Sequence, residues 1–300
     1  MRALFLVLAS LLAVSACSSR QLLNATASDS GYTLSQNVVY DDSTGLKLDV
    51  YAPEGAANAP VVVFFFGGRW SSGDKQDFKF VGQAMAARGF VAVIPNYRLY
   101  PQVHYPDFVY DSARAVVWTH QHIASYGGGA SRIVVMGHSS GAYNAAMLAL
   151  DPEFLLHAGG NRNWVRGMIG LAGPYDFLPL TDPDLRELLG PPESYDRTQP
   201  VFHVDGNNPP LLLMHGGKDE TIDIKNTQSL FDRIKRAGGT ADMEIYPGLD
   251  HSRILDVVGA RLQGNATVMD KVDAFVRRVT VGNAPATAQP SSIQTYVPPK

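Results

Sequence analysis

The fold of this chain is constrained most by a series of short apolar runs, ended by glycine or proline and separated by segments of helical period. Val61–Phe66 is six consecutive apolar residues stopped by Gly67-Gly68. A run without polar alternation fits a strand buried on both faces. Phe90–Ile94, stopped by Pro95, repeats the theme, and Arg132–Met136, Val165–Leu171, Leu211–Met214 and Met243–Tyr246 read as further strands. Helices are predicted over Gln76–Ala87, Pro106–Ser125, Ser140–Leu150 and Ile222–Ala237, with a last one near Val268–Val279. The second has proline near its first turn and glycines 127–129 at its end, the usual asymmetry of helix termini. Buried strands interleaved with helices imply an α/β fold with a mainly parallel sheet covered on both faces. Ahead of it, Asn37–Tyr40 and Leu46–Tyr51 flank Asp42-Ser43-Thr44-Gly45 as an opening hairpin.

The chain's two ends read differently. Arg2 precedes an apolar run over Ala3–Val14 broken only by Ser10, too short for a stable membrane span and suited to a signal peptide over residues 1–16. Val14-Ser15-Ala16-Cys17 resembles the bacterial lipobox, in which the cysteine is lipidated and becomes the new N-terminus. Cys17 is also the chain's one cysteine, so neither a disulfide scaffold nor a thiolate-rich zinc site can be built. Acyl chains at Cys17 would anchor the protein without a spanning helix. Ser18 at the next position favours the outer membrane facing the periplasm; a plain secretory signal would leave a soluble periplasmic protein. Residues 17–36 are small and polar and read as a tether, with a little helix around Arg20–Ala25. Residues 281–300 read as a disordered tail apart from a weak strand at Ile293–Val297. One domain, 37–280, remains between them. Its formal charge is close to balanced, −3 for the whole chain, and no Lys/Arg stripe appears, which argues against a nucleic-acid partner.

The chemistry concentrates at strand ends. Gly137-His138-Ser139-Ser140-Gly141 is G-x-S-x-G at the seam between a predicted strand and a predicted helix. A tight turn there lifts Ser139 into a strained conformation above the sheet, and the helix that follows favours negative charge beside it. A serine hydroxyl needs an imidazole to take its proton and a carboxylate to orient that imidazole. His251, in Pro247-Gly248-Leu249-Asp250-His251-Ser252 past the last strong strand, is the candidate base. His157 and His203 read as surface residues, and His215 as a support at a strand end. Asp219, after strand Leu211–Met214, is the candidate acid, at the carboxyl end of a strand where α/β sheets carry their chemistry. Its rivals are Glu220 and Asp223, with Asp176 a second-tier candidate; Asp250 adjoins His251 but cannot easily face its ring. The oxyanion donors are expected to be the N–H groups of Gly68, Arg69 and Ser140, with Gly67 shaping the turn.

These motifs resemble the α/β-hydrolase fold. More narrowly, they resemble the hormone-sensitive-lipase-like esterases and the relatives of bacterial feruloyl esterase, isoprenylcysteine methylesterase and kynurenine formamidase. The family's H-G-G-x-W corresponds to Phe66-Gly67-Gly68-Arg69-Trp70, its tyrosine–arginine pair to Tyr97-Arg98, and its tyrosine-glycine segment to Tyr126-Gly127. Phe66 replaces the histidine that props the loop by hydrogen bonding, which removes the prop but leaves the backbone donors in place. The resemblance implies a serine carboxylic-ester hydrolase working through an acyl-enzyme, with no cofactor and no metal, on a small-molecule ester. Residues 174–210 are expected to form a short cap that contributes Tyr175, Phe177 and Leu178 to an apolar pocket for small acyl groups. An arylformamidase-type amidase could use the same machinery. A non-catalytic envelope lipoprotein on a hydrolase scaffold is the third reading, disfavoured by an intact triad. The oligomeric state leaves no trace in the sequence.

Overall fold

The computed structural model describes residues 21–259 and 267–280. Cys17 with its leader, and the strand expected at Ile293–Val297, lie outside the described residues. Among those described, eight strands form one sheet: β1 Tyr32–Asp41, β2 Leu46–Pro53, β3 Ala59–Phe65, β4 Val91–Pro95, β5 Gly128–His138, β6 Val165–Leu171, β7 Leu211–Gly216 and β8 Ala241–Tyr246. Their spatial order is β1-β2-β4-β3-β5-β6-β7-β8. The β1–β2 and β2–β4 pairs are antiparallel and the rest parallel. After a helical turn at residues 21–26, the helices among the described residues are α1 Lys79–Ala86, α2 Asp107–His122, α3 Ser140–Leu150, α4 Pro152–His157, α5 Pro183–Leu189, α6 Lys225–Arg236, α7 Arg253–Asp256 and α8 Thr267–Thr280. This architecture, a mostly parallel sheet with helices, is the α/β-hydrolase fold.

The unbroken apolar runs become the sheet's centre. All seven residues of β3 and all five of β4 are buried, as strands with both faces covered require. Every residue of α3 is buried too. That helix packs on β5 and β6 and is covered on its other side, so it has no polar face to offer water.

Two local expectations shift. The glycines at 128–129, read as a helix end, open β5 instead: Ala59 pairs with Gly128, and the helical stretch before them ends as a 3-10 turn, Ile123–Tyr126, closed by Gly127 in the left-handed region. The helix expected from Gln76 starts as a 3-10 turn, Lys75–Phe78, because Asp74 caps Gln76 N–H and the Asn96 side chain takes the N–H of Lys75. The Lys75 ammonium is itself buried, on Asp49 at 2.7 Å and Asn37 at 2.8 Å.

The ordered domain also begins before residue 37. The first strand runs from Tyr32, and residues 21–26 are helical. Leu23 is buried in the main core, and its side chain lies beside Gly259. Asn24 donates to the carbonyl of Gln76 at 2.8 Å and accepts from the N–H of Phe80 at 3.2 Å. One apolar side chain and one amide therefore dock a segment whose composition reads as a tether. Leu23→Ala is expected to lower the unfolding free energy by about 2 kcal/mol, measured by urea denaturation. A free tether would show no change.

Candidate active site

Four loops meet at the carboxyl edge of the parallel strands. The chain leaves β3 to form β4 on one side and returns to form β5 on the other, so the loops after β3 and β5 diverge from neighbouring strands at a topological switch. Phe65 pairs with Gly137 in register, which sets the Gly67-Gly68 turn beside Ser139. On the other side, Gly216 pairs with Tyr246, Gly217 N–H donates to the Tyr246 carbonyl at 2.7 Å, and Lys218 N–H to that of Leu249 at 2.9 Å. These bonds bring the loops carrying Asp219 and His251 together.

Ser139 has φ 54° and ψ −126°, a conformation that L-residues rarely adopt. The flanking glycines are sterically required. A Cβ on Gly137 would lie 2.2 Å from the carbonyl oxygen of Gly141, and one on Gly141 would lie 2.1 Å from that of Phe65. The turn is held by Ser139 N–H on the Leu171 carbonyl at 2.9 Å and by the N–H groups of Ala142 and Tyr143 on the Ser139 carbonyl.

Ser139 Oγ lies 3.0 Å from His251 Nε2, and His251 Nδ1 lies 2.8 Å from Asp219 Oδ2. Asp219 Oδ1 accepts the N–H groups of Thr221 and Ile222, both at 2.9 Å. Burial of the Asp219 side chain opposes its charge. Hydrogen bonds from His215, His251 and Ile222 N–H outweigh that cost and hold the carboxyl well below the usual carboxylate range. The acid therefore stays ionised at any pH near neutrality. The rival carboxylates face elsewhere: Asp223 caps Lys225, Asp250 caps Ser252 and Arg253, and Asp176 accepts from Ser229. Glu220 is exposed. His157 lies against Tyr110 with its ring tilted by 37°, and His203 pairs with Asp151, both away from the serine. His138, next to Ser139, ties the site together, its Nε2–H donating to the His251 carbonyl at 2.8 Å.

The loop after β3 takes an unusual path. Gly68 has φ 139°, and a Cβ there would meet the Ser72 carbonyl oxygen at 2.0 Å. Arg69 and Trp70 follow with φ 54° and 58°, two consecutive non-glycine residues in the left-handed region. Phe66 is stacked between Phe78 (centroids 5.4 Å, 6° apart) and Tyr97 (4.7 Å, 21°), and the Tyr97 hydroxyl donates to the Phe66 carbonyl at 2.7 Å. Aromatic packing thus replaces the missing histidine. Trp70 anchors the far end: its Nε1–H donates to Asn144 at 3.0 Å, and Asn144 donates in turn to Ser112 at 3.1 Å, all of it buried. Among the described residues, the N–H groups of Gly68, Arg69 and Ser140 have no protein acceptor. The Arg69 side chain reaches Asp182 of the 174–210 segment at 2.7 Å.

A cavity of about 400 Å³ opens beside Ser139, lined by Gly67–Arg69, Phe78, His138, His251 and Leu255 among others, with Gln21 and Asn24 also in its wall. The cap residues expected to line it do not. The Tyr175 ring folds back over Gly170 and Gly173 and is fully buried, because those glycines leave room that no side chain fills. Phe177 meets Tyr143 edge-on, 6.2 Å away, and Leu178 packs on the core. The wall from residues 21–24 was hidden from sequence reasoning, since a Gln and an Asn in a polar stretch carry no periodic signal.

The sheet order and the strand-to-helix turn at Ser139 are those of the α/β-hydrolase fold. The chain belongs to the BD-FAE family, whose model matches residues 48–234. It is 28% identical over 242 residues to a probable isoprenylcysteine alpha-carbonyl methylesterase of Arabidopsis thaliana, covering 72% of this chain and 50% of that protein. It is 30% identical over 200 residues to LipM, a probable carboxylic ester hydrolase of Mycobacterium tuberculosis, covering 59% of this chain and 45% of that protein. The chain thus spans about half the length of these curated relatives. Among solved structures, esterase Est2 of Thermogutta terrifontis superposes with a TM-score of 0.69 at 25% identity, covering 87% of this chain and 96% of that one.

Phe66→Ala removes the middle ring of the stack under the loop. It is expected to cost about 3 kcal/mol of stability, read from thermal or urea unfolding, and to slow any reaction at Ser139 more than it weakens substrate binding.

Proposed function

We propose that this protein is a serine carboxylic-ester hydrolase acting on short-chain esters. The observation that carries the reading is the relay of Ser139, His251 and Asp219, with contacts of 3.0 and 2.8 Å, built on a strained strand-to-helix turn. Ser139 Oγ attacks the ester carbonyl carbon while His251 Nε2 takes the hydroxyl proton. Asp219 keeps the Nδ1–H tautomer and stabilises the imidazolium. The oxygen of the tetrahedral intermediate takes hydrogen bonds from the N–H groups of Gly68, Arg69 and Ser140, each such donor being worth about 10²–10³ in rate. His251 then protonates the departing alcohol. Water, deprotonated by the same imidazole, attacks the acyl carbon; the bond to Ser139 Oγ breaks as His251 returns the proton to that oxygen and the acid leaves.

The relatives support this reading. The plant proteins are named as methylesterases, and Est2 has been captured with propionate and phosphorylated by paraoxon. The cavity of about 400 Å³ suits a short acyl chain and a small alcohol.

The test is fluorophosphonate labelling followed by a substrate panel. Wild type is expected to label, and Ser139→Ala to lose both labelling and turnover, by roughly 10⁴-fold or more. p-Nitrophenyl acetate and butyrate are expected to outrun long-chain esters and formylkynurenine. Faster turnover of long chains would overturn the short-chain assignment, and faster turnover of the formamide would make this an amidase. A folded wild type that does not label would be a binding protein.

The reading extends to location. An acyl anchor at Cys17 would put the membrane four residues from Gln21, which lines the cavity. Cys17→Ser is expected to move the protein from the membrane to the soluble fraction on cell fractionation. Retention in the membrane would refute the anchor.

A further inference from the structure

The candidate acid is served by a second imidazole. His215, at the end of β7, is completely buried, and its Nε2 lies 3.0 Å from the carbonyl oxygen of Ile222 and 3.2 Å from Asp219 Oδ2. Both partners accept only, so Nε2 carries the hydrogen and shares it between them. On the other side of the ring, Nδ1 lies 2.8 Å from Thr227 Oγ1, which is buried on α6. With the ring hydrogen on Nε2, Nδ1 takes the hydrogen bond of the threonine hydroxyl. A directed chain results: Thr227 donates to His215, His215 to Asp219, and Asp219 accepts from His251, which faces Ser139.

We infer that Thr227 and His215 are positioning residues for the reaction, holding Asp219 in the rotamer that faces His251 and fixing which of its oxygens His251 shares. The inference rests on the proposed esterase reading for its kinetic consequences but not for its geometry. Asp219 Oδ1 is occupied by the N–H groups of Thr221 and Ile222, and Oδ2 by the two imidazoles. Without His215 the carboxylate would keep its backbone bonds yet lose the donor that balances His251 on the shared oxygen. The Ile222 carbonyl ties this arrangement to the loop itself, since Ile222 also donates its N–H to Asp219. A histidine that only filled the strand end would need no threonine oriented toward its Nδ1. Leucine would fill similar space in a buried site without a polar network to satisfy.

Thr227→Val keeps the side-chain shape and removes the donor, and Thr227→Ser restores it. His215→Leu removes the imidazole, and His215→Gln returns an N–H near the Nε2 position. With p-nitrophenyl acetate, Thr227→Val is expected to lower kcat about fivefold, and His215→Leu about 50-fold, with KM within twofold of wild type. Serine at 227 and glutamine at 215 should each recover most of the loss. A folded Thr227→Val with wild-type kcat overturns the inference. So does a Thr227→Ser as slow as Thr227→Val, which would make the position one of packing. Because His215→Leu can fail to fold, the pair at 227 decides by itself. The low-field proton resonance of the His251 Nδ1–H bond, assigned by its loss in His251→Ala, gives a readout that needs no substrate. It should move in Thr227→Val and return in Thr227→Ser, and an unmoved resonance overturns the inference. A wild type that shows this behaviour yet neither labels with fluorophosphonate nor turns over esters would sink the esterase reading and leave the positioning chain standing.

Discussion

The whole site depends on one compressed turn. Ser139 stands in a backbone conformation that costs on the order of 1–3 kcal/mol, held between a strand and a helix too close together for any side chain at positions 137 and 141. Packing over-determines it: every residue of α3 is buried, and the Ser139 N–H and carbonyl are both committed to neighbouring backbone. The turn does two things at once. It lifts the hydroxyl clear of the sheet, and it leaves the Ser140 N–H uncommitted at the start of a helix, where negative charge is favoured.

Around that turn the molecule meets the same need for rigidity with different chemistry on each side. The loop after β3 lacks the histidine of its family's motif, and an aromatic stack of Phe78, Phe66 and Tyr97 stands in its place, capped by a hydroxyl-to-carbonyl bond. The stack is apolar and fully buried, so it needs no further polar partners. The acid side is held by polar groups: both oxygens of Asp219 are saturated by two backbone N–H groups and two imidazoles. Such a network is rigid only when complete, and here each member has its partner. His138 links the two sides by holding the His251 backbone against the Ser139 turn.

Much of this was legible in the sequence, for identifiable reasons. Strands buried on both faces leave unbroken apolar runs, so β3, β4 and β7 were visible to within a few residues. G-x-S-x-G between a strand and a helix was visible because the glycines are a steric demand. Asp219 and His251 could be ranked because parallel sheets gather chemistry at one edge. Less legible were features that depend on contact between distant segments. The docking of residues 21–26 rests on a single leucine and a single asparagine. The turning of Tyr175 away from the cavity rests on the space left by two glycines. Neither leaves a periodic pattern.

By itself, the sequence determined the order of strands and helices, the place of the strained serine and the small set of side chains able to serve it, because these follow from local sterics and from burial periodicity. Only the tertiary structure decided which carboxylate faces His251, what supports a loop without its histidine, and what walls the cavity. Those outcomes depend on contacts between residues far apart in the chain, 32 positions for Asp219 and His251 and 74 for Trp70 and Asn144, and a hydrogen bond or a ring stack exists only where the folded backbone brings its two partners within a few ångströms.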